Sequence, residues 1–228
     1  MGKTIERLAE AKGDTIVLKI GRTNTADLTP QNIQKADVAI EFSEPESAFY
    51  NIRFCLENEI PVVSGTTAWL DRLGEAKRIC EKQNGAFLYA SNFSVGVNVF
   101  FQLNDYLAKM MAHLSTYHVS MEEIHHTEKK DAPSGTAITL ADAIINQHPH
   151  KTSWVNQYSN QVEEVGIVSK RLPDVPGTHR ILYESVIDAI EIQHTAHTRE
   201  GFAAGALLAA RWIIGKQGFF GMQDVLDV

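Results

Sequence analysis

The chain has 228 residues, 44% hydrophobic and 21% charged, with a net charge of −7. That is ample for one large core or two small ones, and the acidic balance argues against nucleic acid as a partner. No run of about 18 apolar residues exists to cross a membrane, and the two cysteines, Cys55 and Cys80, read as small buried hydrophobes in a reducing, cytoplasmic setting.

The N-terminus lacks the apolar stretch of a signal peptide, and Glu6 stands where myristoylation needs Ser or Thr. Residues 2–12 read as a helix with Ile5, Leu8 and Ala9 on one face, ended by Gly13. Strands are expected at 15–20, 37–42, 61–64 and 86–90, with helices at 45–58 and 69–83. Pro45 is suited to a first helical position. Short apolar strands between amphipathic helices imply a parallel sheet covered on both faces.

Beyond about Asn92 the pattern changes. A long helix is predicted over 95–114, a strand over 116–124 and a helix over 134–147. Extended stretches at 163–169, 179–187 and 189–195 read as a mostly antiparallel sheet, and a helix returns at 200–215. The expected architecture is therefore α/β, a Rossmann-type nucleotide-binding domain followed by an α+β domain with a mostly antiparallel or mixed sheet. A doubly wound unit opens with a strand and a glycine-rich turn. This chain opens at the helix, so the first strand is missing, which would leave two strand edges unpaired.

The chemistry concentrates in Glu122-Glu123-Ile124-His125-His126-Thr127-Glu128-Lys129-Lys130-Asp131-Ala132-Pro133-Ser134-Gly135-Thr136-Ala137. Histidine titrates near neutrality and suits general acid work. Lysine can pair with a carboxylate or donate a proton. If the strand continues through His126, one histidine of the pair faces a given cleft; if it ends at His125, both can. Pro133 and Ser134 read as a helix start whose free N–H groups could hold an anion, with Gly135 allowing close approach and Thr136 adding a hydroxyl. A solvated basic loop followed by an ordinary N-cap explains the same residues.

Two other readings are weaker. His125, His126 and Glu128, or His194 and His197, lack the tight Cys/His pairing of structural zinc, so no metal is expected. Ser134 lacks the Gly-x-Ser-x-Gly context of a hydrolase nucleophile.

In the first half, Gly65-Thr66-Thr67 and Ala90-Ser91-Asn92-Phe93 each follow a predicted strand, where loops of a doubly wound sheet line the ligand crevice. Arg22, after the strand at 15–20, suits a 2′-phosphate, which leans the cofactor toward NADPH over NADH.

Taken together, these segments resemble the dihydrodipicolinate reductases (4-hydroxy-tetrahydrodipicolinate reductases) of lysine and diaminopimelate biosynthesis. The signature from Glu122 to Ala137 is complete, and Pro176-Gly177-Thr178-His179, Arg199 to Ala206 and the ending from Gly221 to Leu226 also match. The resemblance implies a catalytic proton donor and acceptor at His125 and a second proton donor at Lys129, which also faces the substrate. His126, Gly135 and Thr136 would bind the dicarboxylate substrate. Met1, Gly2, Arg22, Gly65, Thr66, Thr67, Ala90, Ser91, Asn92 and Phe93 would line NADPH or NADH.

The resemblance also implies a dinucleotide-binding domain of residues 1–93 and 205–228, a substrate-binding and tetramerisation domain of residues 94–204, and a homotetramer. Relative to the family pattern, Gly2 matches the third glycine of the phosphate turn, and Met1 reads as an internal methionine of a longer chain. Ala68 replaces a glycine, a change that requires a negative φ there. A dehydrogenase for another small acid, or a non-catalytic metabolite sensor, are the competing expectations.

Overall fold

Strands of three or four apolar residues can stay in place only if both faces are covered, and the fold achieves this. The structure, a computed structural model, describes residues 1–227. It divides into two units, Met1–Asn98 with the segment from Glu200 onward, and Val99–Arg199.

In the first unit α1 (Gly2–Ala11) is followed by the single turn α2 (Pro30–Ile33), β1 (Ala39–Glu41), α3 (Pro45–Glu57), β2 (Val62–Ser64), α4 (Leu73–Lys82), β3 (Ala86–Tyr89) and the start of α5 (Val95–Met111). The sheet is parallel in the order β1, β2, β3, then a late strand, Gly218–Phe220. Alternation sends neighbouring side chains to opposite faces. Val62 and Phe87 join Phe49, Ile52, Leu56, Ala76 and Cys80 on the α3–α4 side. Val63, Ala86 and Leu88 join Ile5 and Ala9 of α1 and the alanine-rich helix Glu200–Ile213 on the other.

The second unit carries α5 onward into β4 (His118–His125), α6 (Gly135–Gln147), β5 (Ser153–Val155), β6 (Glu164–Arg171), β7 (Gly177–Glu184) and β8 (Ala189–Ala196). The first unit then resumes with α7 (Glu200–Ile213), β9 (Gly218–Phe220) and α8 (Met222–Leu226). The sheet order is β5-β6-β4-β7-β8. The β5–β6 and β6–β4 pairs are parallel, and the β4–β7 and β7–β8 pairs antiparallel. The sheet is thus evenly mixed, because α6 is the crossover that returns the chain parallel to β4. One face packs Val119, Met121, Val165, Ile167, Ile181 and Tyr183 against Phe100, Leu107, Leu140 and Ile144 of the two helices.

Residues 15–20 form no ladder. Ile16 packs on the α1–α7 core and Leu18 on the α3–α4 core, whereas a regular strand would send both to one face; among the described residues no strand pairs with the segment, and β1 is left at a sheet edge. The strands β5 and β9 and the helices α2 and α8 were not expected from the sequence: each is five residues or shorter, too short for a periodic signal. No helix among the described residues is long and apolar enough to cross a membrane.

Helix α7 approaches the backbone after β3 so closely that a Cβ on Gly205 would lie 1.7 Å from the Phe93 carbonyl oxygen. Alanine in a helix interior is ordinarily favoured over glycine by roughly 0.5–1 kcal/mol. Gly205→Ala is expected to reverse that sign and destabilise by about 1–3 kcal/mol through overpacking, measurable as a lower urea midpoint at unchanged slope.

Candidate active site

The strand β4 ends at His125, so the double histidine straddles a strand end rather than continuing the pleat. His125 is 8% exposed, whereas His126 turns outward and its Nε2 meets an Arg199 guanidinium nitrogen at 2.7 Å. His126, Thr127, Glu128, Pro176 and Arg199 line a concavity of about 320 Å³.

Beneath His125 lies a group of residues that periodicity alone does not single out. Glu123, two residues back on the same face of β4, has no exposed surface. One carboxylate oxygen pairs with His125 Nδ1, and the other is 2.9 Å from Arg171 on the neighbouring strand β6. The register places His125 opposite Arg171. Burial alone would raise the Glu123 pKa, but contacts with His125, Ser169 and Arg171 overcome this and lower it to about 2.

On the antiparallel side His179 of β7 sits with its ring 5.1 Å from that of His125. Burial first, then the neighbouring His125, lowers the His179 pKa to about 3, so it is neutral at physiological pH. Its Nε2 is 3.0 Å from Ser134 Oγ. Gly177 leaves room for the His125 ring: a Cβ there would stand 3.0 Å from Nε2.

Lys129 is mostly buried, and its ammonium lies 2.9 Å from both carboxylate oxygens of Asp131. That contact holds the Asp131 carboxyl below its usual range. The Arg171 guanidinium also donates to the Asp131 carbonyl at 2.7 Å, tying this loop to the sheet.

Helix α6 begins at Gly135, one residue later than the Pro133–Ser134 start read from the sequence. Ser134 is the N-cap, accepting from the Ala137 N–H at 3.2 Å. The Gly135 and Thr136 amides precede the first residues with intrahelical acceptors. Gly135 is exposed, and a Cβ on it would meet nothing within 4 Å. The N-cap therefore leaves the first amides of α6 unobstructed, so the two readings of this segment are compatible.

Among the described residues, one cluster has metal-ligand donors within 4.8 Å of one another: Glu123, His125 and His179. It is not a set considered from the sequence. Arg171 already supplies positive charge to Glu123, and Ser134 already occupies His179, so the donor set is spoken for.

The other expected residues lie in the first unit. Gly65, Thr66 and Thr67 follow β2, and Ala90 to Phe93 follow β3, both at the carboxyl ends of parallel strands. Buried Glu41 ends β1 and accepts from the Ser43 N–H at 2.9 Å, Ser64 Oγ at 2.6 Å and Thr66 Oγ1 at 3.0 Å. The Thr66 hydroxyl is thereby turned inward, while Thr67 is exposed. Phe93 is core, 5.6 Å ring to ring from Phe42, and both rings crowd Gly65. Ser91 is exposed and Asn92 partly so. Ala68 adopts φ 62°, correcting the expectation of a negative φ, because the turn keeps the left-handed geometry that a glycine would take freely.

Met1 is the N-cap of α1 and Gly2 its first residue, with no acidic side chain in the first turn and open space where a Gly2 Cβ would stand. Arg22 is exposed and pairs with Glu44. An open helix start and loops at three strand ends are features that fit a dinucleotide.

Residues 1–93 match the family model for the N-terminus of dihydrodipicolinate reductase, and residues 96–226 that for its C-terminus. The chain is similar to the 4-hydroxy-tetrahydrodipicolinate reductase of Christiangramia forsetii, 50% identical over 227 residues covering 100% of this chain and 94% of that protein. It is 32% identical over 230 residues to the enzyme of that name from Neisseria gonorrhoeae, covering 98% and 84%. The solved structure of a dipicolinate-bound dihydrodipicolinate reductase from Paenisporosarcina sp. TG-14 is similar at a TM-score of 0.66 and 25% identity, covering 83% of this chain and 74% of that one.

His179 gives the fold a definite acid sensitivity. Its pKa falls from 6.5 to about 3 on folding, so the unfolded chain takes up this proton first. Stability is lost as pH drops from about 6.5 toward 3, by at most about 1.4 kcal/mol per pH unit for this one proton. His179→Asn is expected to flatten that slope in urea midpoints measured across the window.

Proposed function

The chain belongs to the dihydrodipicolinate reductase family, and on that premise we propose that it reduces 4-hydroxy-tetrahydrodipicolinate to tetrahydrodipicolinate with NAD(P)H. The observation that carries this reading is the end of β4. A buried imidazole, His125, is followed by Lys129 and then by the open start of α6, which together offer proton donors and a carboxylate site in one unit.

Reduced nicotinamide, when bound, supplies the hydride. The start of α1 at Met1 and Gly2, the backbone of the loop at Gly65, Thr66 and Thr67, and Ala90, Ser91 and Asn92 would hold the cofactor, with buried Phe93 packed beneath that surface. Arg22, freed from Glu44, would meet a 2′-phosphate, which favours NADPH. Gly135 and Thr136 would receive one substrate carboxylate on the helix start, while His126 and Lys129 neutralise charge on the dicarboxylate. The 4-hydroxyl would leave as water to give the conjugated imine that accepts the hydride, and His125 would then deliver a proton to the electron pair that hydride addition leaves on the ring, with Lys129 as the second donor. Two buried free thiols, Cys55 and Cys80, accord with a cytoplasmic setting; burial pushes the Cys55 thiol up to about 12.

With the lysine-pathway intermediate and NADPH, His125→Ala and Lys129→Ala are each expected to lower turnover by on the order of 10²-fold or more, followed by absorbance loss of the reduced cofactor. Full turnover in both variants would overturn the assignment.

The homotetramer is proposed to form through the sheet face of the second unit away from α5 and α6. The β7–β8 hairpin supports this, since Val186 and Ile187 are 104% and 88% exposed at its tip, adjacent apolar side chains that a partner subunit would cover. Light scattering of a Val186→Asp, Ile187→Asp double variant is expected to report a smaller assembly than wild type. An unchanged mass would remove the hairpin from the interface.

A further inference from the structure

His125 has two ring nitrogens, and the structure distinguishes their work. Nδ1 faces the Glu123 carboxylate, which can only accept hydrogen bonds when ionised. Nδ1 must therefore carry a proton, leaving Nε2, on the side of Gly177, to gain and release the other. Glu123 has no exposed surface and remains a carboxylate because Arg171 lies 2.9 Å from its second oxygen. The same guanidinium donates to the Asp131 carbonyl, so one cation braces both the imidazole's partner and the loop that carries Lys129.

The charged and titratable groups placed around His125 come from three strands and one loop. Glu123 lies on its own strand, Arg171 on β6, neutral His179 on β7, and Lys129 in the loop beyond. Glu123 is the one anion among them that touches the ring.

Resting on the reading of His125 as the proton donor, we propose that Glu123 and Arg171 are its positioning residues, a buried carboxylate–guanidinium pair that fixes the imidazole as the Nδ1–H form and offsets its charge when it is doubly protonated. In the forward step the imidazolium gives up its Nε2 proton to the electron pair left on the substrate by hydride addition, and it ends as the neutral Nδ1–H ring without turning over. Neither residue touches substrate.

Glu123→Gln keeps the shape and removes the charge. Its single amide oxygen satisfies Arg171, so its NH₂ faces Nδ1 and favours the opposite tautomer. The expected result is a folded protein whose kcat falls on the order of 10²-fold while KM stays within about threefold. Ring ¹⁵N spectra of histidine-labelled protein at about pH 9, where a free imidazole is neutral, are expected to show His125 protonated at Nδ1 in wild type and at Nε2 in the variant. Arg171→Met should lower kcat in the same direction, and Arg171→Lys, which keeps the charge, should recover most of it.

A folded Glu123→Gln protein with wild-type kcat and an unchanged ¹⁵N pattern would overturn the proposal. Arg171→Lys as impaired as Arg171→Met would remove Arg171 from it. Should His125→Ala itself retain full turnover, the underlying reading falls instead, and the ring spectra still report whether Glu123 sets the tautomer.

Discussion

A carboxylate with no exposed surface cannot stay charged unless its neighbours compensate for the water it has lost. Glu123 meets that constraint with an imidazole on one oxygen and a guanidinium on the other, and much of the second unit follows from it. Arg171 can reach only because β6 lies parallel to β4 in a register that sets it opposite His125. That parallel pairing in turn needs the α6 crossover, whose N-terminus leaves the Gly135 amide exposed. The His125 imidazole, the lysine loop and the helix start are thus arranged around one buried charge.

The first unit uses a related device. Glu41 closes β1 as a buried carboxylate and collects the hydroxyls of Ser64 and Thr66 and the amide of Ser43. With Trp69 donating to the Thr66 carbonyl at 2.7 Å, the turn after β2 is held from inside, and its exposed surface is left to backbone and Thr67. In both units a buried glutamate at or near a strand end turns a loop into a defined shape. Pairing of this kind contributes more to specificity of geometry than to net stability.

Some of this was legible from residue order and some was not. The helices of α1, α3 and α5 to α7 and the long strands of the second unit were visible because each spans enough residues for a 3.6- or 2-residue period to show. The stretch at residues 15–20 keeps Ile16 and Leu18 inward, yet a strand also needs a partner, and pairing is not a local property. Ala68 misled for a different reason: alanine predicts negative φ, and the turn overrides it. Glu123 stood in the signature but read as one acidic residue beside another, since nothing local tells the fully buried member of Glu122-Glu123 from the partly buried one.

The sequence by itself determined the α/β and α+β halves, the residue types at the end of β4 and the helix start beyond them, because these depend on local periodicity and on the chemistry of adjacent side chains. The tertiary structure alone decided that His125 is backed by Glu123, Arg171, Gly177 and His179. Those residues come from β4, β6 and β7, up to 56 positions apart in number, and only sheet register brings them together. Which imidazole nitrogen is tied and which is free is therefore a property of three strands together rather than of any segment.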